Sequence, residues 1–104
     1  MHEHTLQLFE PHVGSTFQVV VNGQPALDLE LAAVEDLSVA GRRRDEAIRS
    51  QPFSLIFHGP KSPIAGQAQY EVSHAILGSL QIFLVPIGPD RASRQIMQYQ
   101  AIFN

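Results

Sequence analysis

Hydrophobic and polar positions alternate with period two along most of this chain, the mark of strands with one buried face. Phe17, Val19 and Val21 alternate with Gln18 and Val20, and Asn22-Gly23 then supplies a tight-turn pair that predicts a first hairpin. In the next strand Leu27, Leu29, Leu31 and Ala33 share one face, with Asp28, Glu30, Ala32 and Val34 on the other. Its length, to about Asp36, predicts a bend or bulge. Phe53, Leu55 and Phe57 alternate with Ser54, Ile56 and His58 as far as Gly59-Pro60, where a proline without an N–H should end the ladder. Tyr70, Val72 and His74 share one face of 69–74, and Ile76-Leu77-Gly78 reads as a connection. Two further strands follow, Ser79 to Pro86 and Ile96 to Asn104, the last aligning Met97, Tyr99, Ala101 and Phe103.

Only the first fifteen residues read as helical. Thr5 can cap a turn or two carrying Leu6, Phe9 and Val13, which Pro11 and Gly14 keep short, and a place at one barrel end suits it. Ser38 to Gln51 reads as one long mobile surface loop, with Gly41, Arg42, Arg43, Arg44, Asp45, Glu46 and Arg49. The fold class is mainly β, a small six-stranded antiparallel barrel or a two-sheet sandwich, because six strands left flat in so short a chain would expose wide edges.

Composition narrows the function classes. The chain has 104 residues, room for a single domain over 1–104. Charged residues make up 16%, against ~25% in ordinary soluble domains, and the net charge is -3. That balance argues against nucleic-acid partners and anionic membranes. There is no cysteine, which excludes disulfides, thiolate nucleophiles and Cys-based metal sites. The amino terminus has no signal-peptide pattern and the longest apolar run, 82–87, is far short of a membrane span, so the expected location is cytoplasmic.

From Phe53 onward the residues become specific. Phe53-Ser54-Leu55-Ile56-Phe57-His58-Gly59-Pro60, then Gln67 with Tyr70, His74 followed by Leu77-Gly78, Ile82-Phe83-Leu84-Val85-Pro86-Ile87-Gly88 and Tyr99-Gln100-Ala101-Ile102-Phe103-Asn104 resemble a bacterial family of small domains of unknown function. The resemblance spans nearly the whole chain, including Thr5, Phe9 and Val13-Gly14, with Ala68 standing where the family pattern has glycine. It implies no reaction, cofactor or catalytic residue. The resemblance implies an assembly or accessory role, since members of that family often sit in genomes beside phage-tail-collar-like proteins. The shared glycines Gly59, Gly78 and Gly88 suit turns with positive φ.

Candidate chemistry is sparse. His58 and His74 each end a strand before a turn, and if their strands pair they meet at one rim, as an acid/base or metal pair or as two imidazoles fixing turns. His2 and His4 form a weak terminal pair, and no metal or other cofactor is expected. No GxSxG elbow, HExxH helix or phosphate-cradling loop is present, and Glu35-Asp36 and Asp45-Glu46 read as solvated neighbours. The stronger signal lies on a face that should be wet. With Leu80, Ile82 and Leu84 turned inward, Phe83, Val85 and Ile87 point outward, and Ile56 and Ile102 occupy the corresponding faces of their strands. Such a patch calls for a cover, either the amino-terminal turn or another protein chain. Three readings follow in order of preference: a non-enzymatic interaction module that self-associates or docks an unidentified protein, a barrel enclosing an apolar ligand, and an enzyme at a His58/His74 rim.

Overall fold

The computed structural model describes residues 6–37, 52–62 and 64–103. A short helix α1 (Leu6–Phe9) runs into a 3-10 turn (Glu10–His12), and six strands follow: β1 (Thr16–Val21), β2 (Gln24–Asp36), β3 (Phe53–Pro60), β4 (Ala68–His74), β5 (Gly78–Pro89) and β6 (Ile96–Phe103). Thr5 and the expected loop over 38–51 lie outside the described residues, as do His2 and His4.

The strands form a closed barrel in the order β1-β2-β3-β6-β5-β4, every neighbour antiparallel, so the barrel alternative holds and the sandwich does not. Two three-stranded meanders, β1-β2-β3 and β4-β5-β6, join through the β3–β6 and β1–β4 ladders. Closure removes the exposed edges that six short strands would otherwise present. The Asn22-Gly23 hairpin forms as expected, with φ of 54° and 77°, values that twist the turn to match the strands it joins.

Bulges let the strands curl. In β2 the register shifts between Leu31 and Ala33, which reverses the facing of the strand's second half. Val34, not Ala33, therefore packs toward the core opposite Leu55, while Ala33 stands opposite Ile56 on the outer face. In β5 the shift falls between Pro86 and Gly88, and the strand continues to Pro89 beyond its expected end at Pro86. The β3 ladder ends at Gly59-Pro60, as expected. Gly78 and Gly88 adopt positive φ, but Gly59 has a different reason for lacking a side chain: a Cβ there would lie 2.6 Å from Leu29 Cδ2 and 3.3 Å from Tyr99 Cε1.

The lumen is filled by the chain's own side chains. Phe17, Leu29, Leu31, Leu55, Phe57, Val72, Ile82, Leu84 and Tyr99 are fully buried inside it. At the end where β1, β3 and β5 begin, α1 acts as a plug: Phe9 is fully buried, its ring 6.4 Å from Phe17, 5.9 Å from Phe53 and 5.8 Å from Phe103. Phe53 and Phe103, opposite each other on β3 and β6, stack at 4.8 Å. Val13, expected to join this cluster, is 48% exposed because the chain leaves the plug through Gly14 and Ser15, whose backbones bond Leu31. At the opposite end the Ala65 N–H donates to the hydroxyl of the buried Tyr99 at 2.9 Å. Among the described residues no helix is long and apolar enough to cross a membrane.

Replacing Phe9 with alanine removes the ring on which three others converge and is expected to destabilise the fold by about 3–5 kcal/mol. Urea denaturation checks this, and a loss under about 1 kcal/mol would show that α1 does not belong to the core.

Candidate functional site: the outer face of β3, β6 and β5

Strand order places β6 between β3 and β5, and register then decides which outward side chains meet. Gln100 on β6 stands opposite Ile56 on β3 and Val85 on β5, giving one row across three strands. Two residues further along β6 comes Ile102, flanked by Ser54 on β3, and two residues back along β5 comes Phe83, opposite Gln69 on β4. Phe83, Ile87 and Ile102 are 49%, 46% and 54% exposed, with Ile56 and Val85 half-buried between them. Ile87 is the extra residue of the β5 bulge. All five outer apolar positions expected from the sequence therefore lie on these three adjacent strands. The amino-terminal turn does not cover them, since Leu6 and Phe9 are spent in the barrel end.

One row below the apolar patch the same face turns polar. His58 on β3 stands opposite Gln98 on β6. The Gln98 amide donates to Asp90 Oδ1 at 2.9 Å and its nitrogen lies 3.2 Å from His58 Nε2, while Asp90 and His58 are 3.9 Å apart. Asp90 is held in turn by the Ala92 and Ser93 N–H groups, which donate to its Oδ2 at 2.9 and 3.1 Å. Among the described residues the partners of His58 are Gln98 and Asp90. The sequence reading missed Asp90, although an aspartate followed two and three residues on by free amides in a turn is a recognisable Asx pattern.

His74 lies elsewhere. β3 and β4 are not neighbours and run in opposite directions, so the ends that carry His58 and His74 are at opposite ends of the barrel, and the expected shared rim does not form. His74 is buried at the plug end, where its Nδ1 accepts from the Ile76 and Leu77 N–H groups at 3.0 and 3.1 Å. That leaves the proton on Nε2, which bonds Ser15 Oγ at 2.9 Å, and Ser15 Oγ donates onward to the His12 carbonyl. The imidazole thus ties the β4–β5 turn to the strap behind the plug, the turn-fixing role considered for it. Burial pushes its pKa down from 6.5, and the His12 imidazole, 4.7 Å away, adds to the depression. Among the described residues no group of three His, Cys, Asp or Glu side chains could hold a metal ion.

The fold and this face define a small closed antiparallel barrel, plugged at one end by α1, with an outward apolar patch. The chain belongs to the family described as a domain of unknown function, DUF6916, which matches it over residues 4–103. No curated protein and no solved structure matches the chain.

His74 generates a pH dependence. Its folded pKa lies below 6.5, so the unfolded chain binds the proton first as pH falls. Stability from this group is therefore full above about pH 6.5 and declines below it, with a slope of at most about 1.4 kcal/mol per pH unit. In His74→Asn, which keeps an acceptor for the Ile76 and Leu77 amides, this part of the decline should disappear. Thermal melts from pH 5 to 8 read the difference, and parallel curves for the two proteins would contradict it.

Proposed function

We propose that this domain is a non-enzymatic protein-interaction module that docks through the outer face of β3, β6 and β5. The observation that carries the reading is the exposure of Phe83 and Ile102 beside the half-buried Val85 and Ile56. Half-exposed, the three largest of these side chains offer an apolar centre on the order of 300 Å². That is the size of an interface core, and the surrounding Gln69, Gln98 and Gln100 supply a rim toward the ~800 Å² per partner that stable complexes bury.

A second copy of the chain is the occupant that suits this surface best. The centre of the face is hydrocarbon and neutral amides, with Asp90 and Glu35 at its borders, so the apolar rows of two copies can meet without like-charge repulsion, whereas selection of a foreign partner ordinarily uses opposite charge. The alternatives draw less support. An apolar ligand within the barrel would compete for space already filled by Phe17, Phe57, Leu84 and Tyr99. An enzyme at a His58/His74 rim would need two imidazoles that lie at opposite ends.

Sedimentation equilibrium over a range of concentrations tests the reading. The wild-type chain is expected to dimerise, and Ile102→Lys or Phe83→Glu to weaken association at least tenfold, about 1.4 kcal/mol, with folding stability changed by no more than about 0.5 kcal/mol at these exposed positions. A wild-type chain that stays monomeric at millimolar concentration would overturn self-association.

A further inference from the structure

Charge is segregated along the barrel. Among the described residues the acidic side chains Glu10, Asp28, Glu30, Glu35, Asp36 and Glu71 lie on the plug, β2 and β4 and Asp90 lies in the β5–β6 turn, while every lysine and arginine, Lys61, Arg91 and Arg94, belongs to the end opposite α1. Lys61 directly follows β3, and Arg91 and Arg94 lie in the β5–β6 turn. Among the described residues no carboxylate lies within ion-pair distance of these three cations. Asp90, the acid of the same turn, accepts from Gln98 and from the Ala92 and Ser93 amides and lines a neighbouring hollow with Arg91 and Arg94.

Between Lys61 and Arg94 lies a groove of about 310 Å³, walled by Ile64, Pro89, Ile96 and Met97. Its surface is almost entirely carbon, and Lys61 and Arg94 are among the residues that line it. A cation alone attracts any anion and an apolar wall alone any oil. Together, in a chain of net charge -3, they select a ligand with one anionic head and one short hydrocarbon body. The volume is at the lower limit of ligand sites, ~300–1,000 Å³, which suits a single alkyl chain or ring and excludes a large cofactor.

We propose that this end of the barrel binds a small amphiphilic carboxylate, its head between Lys61 and Arg94 and its hydrocarbon on Ile64, Ile96 and Met97. The site lies at an end of the barrel, away from Phe83 and Ile102, so it stands independently of the docking reading. The test is a titration of the ¹⁵N-labelled full chain with decanoate below its micelle concentration, beside decanol, inorganic phosphate and phosphatidylglycerol vesicles. Decanoate is expected to shift the amides of Ile64, Arg94, Ile96 and Met97 saturably. Decanol and phosphate should each bind at least fivefold more weakly, and added salt should weaken decanoate. The double variant Lys61→Gln/Arg94→Gln should lose at least tenfold in affinity with an unchanged melting temperature. Equal binding of decanoate and decanol, shifts centred on Phe83 and Ile102, or binding to vesicles without binding of free decanoate would each overturn the site.

Discussion

Closure of the six-stranded sheet is the constraint from which the other features follow. A six-stranded barrel is too narrow to enclose anything but side chains, so its inward positions must be apolar and interdigitating, and here they are occupied by Phe17, Phe57, Leu84, Tyr99 and their neighbours. Closure also demands curvature, which the register shifts in β2 and β5 supply. Finally it leaves two open ends. One is stopped by Phe9 on α1, and at the other the Ala65 backbone is tied to Tyr99.

Stopping the ends decides what faces outward. Because Leu6 and Phe9 are used inside the plug end, neither side chain is left to lie across β5 and β6. The neutral imidazole of His74 reinforces that arrangement by joining the β4–β5 turn, through Ser15, to the residue that follows the plug. A residue that ranks as a catalytic candidate by type alone is thus committed at both ring nitrogens to holding the fold. The low charge of the chain finds its place in the same arrangement: Gln69, Gln98 and Gln100 border the apolar row, while the described cations gather at the other structural opportunity, the barrel end.

Much of this was legible in local pattern. Period-two alternation located all six strands, the Asn22-Gly23 pair located a turn, and the outward phase of Phe83, Val85 and Ile102 followed from the inward phase of Leu80, Ile82 and Leu84. What alternation lacks is any record of which strands pair at a distance. Barrel and sandwich differ in the β3–β6 and β1–β4 ladders, and the same ladders set His58 and His74 at opposite ends. Bulges are equally silent, since the extra residue at Ala32 changes no residue type while exchanging the roles of Ala33 and Val34. Gly59 misled for a different reason: glycine serves both left-handed turns and close side-chain approach, and only the position of Leu29 tells them apart.

The account turns on whether the amino-terminal helix fills the barrel end and leaves the β3–β6–β5 face bare. Nuclear Overhauser contacts from the Phe9 ring measure this most directly. Contacts to Phe53 and Phe103, with none from Leu6 or Phe9 to Phe83 or Ile102, are the expected result. Contacts from Leu6 or Phe9 to Phe83 or Ile102 would place the helix across the outer face and contradict it.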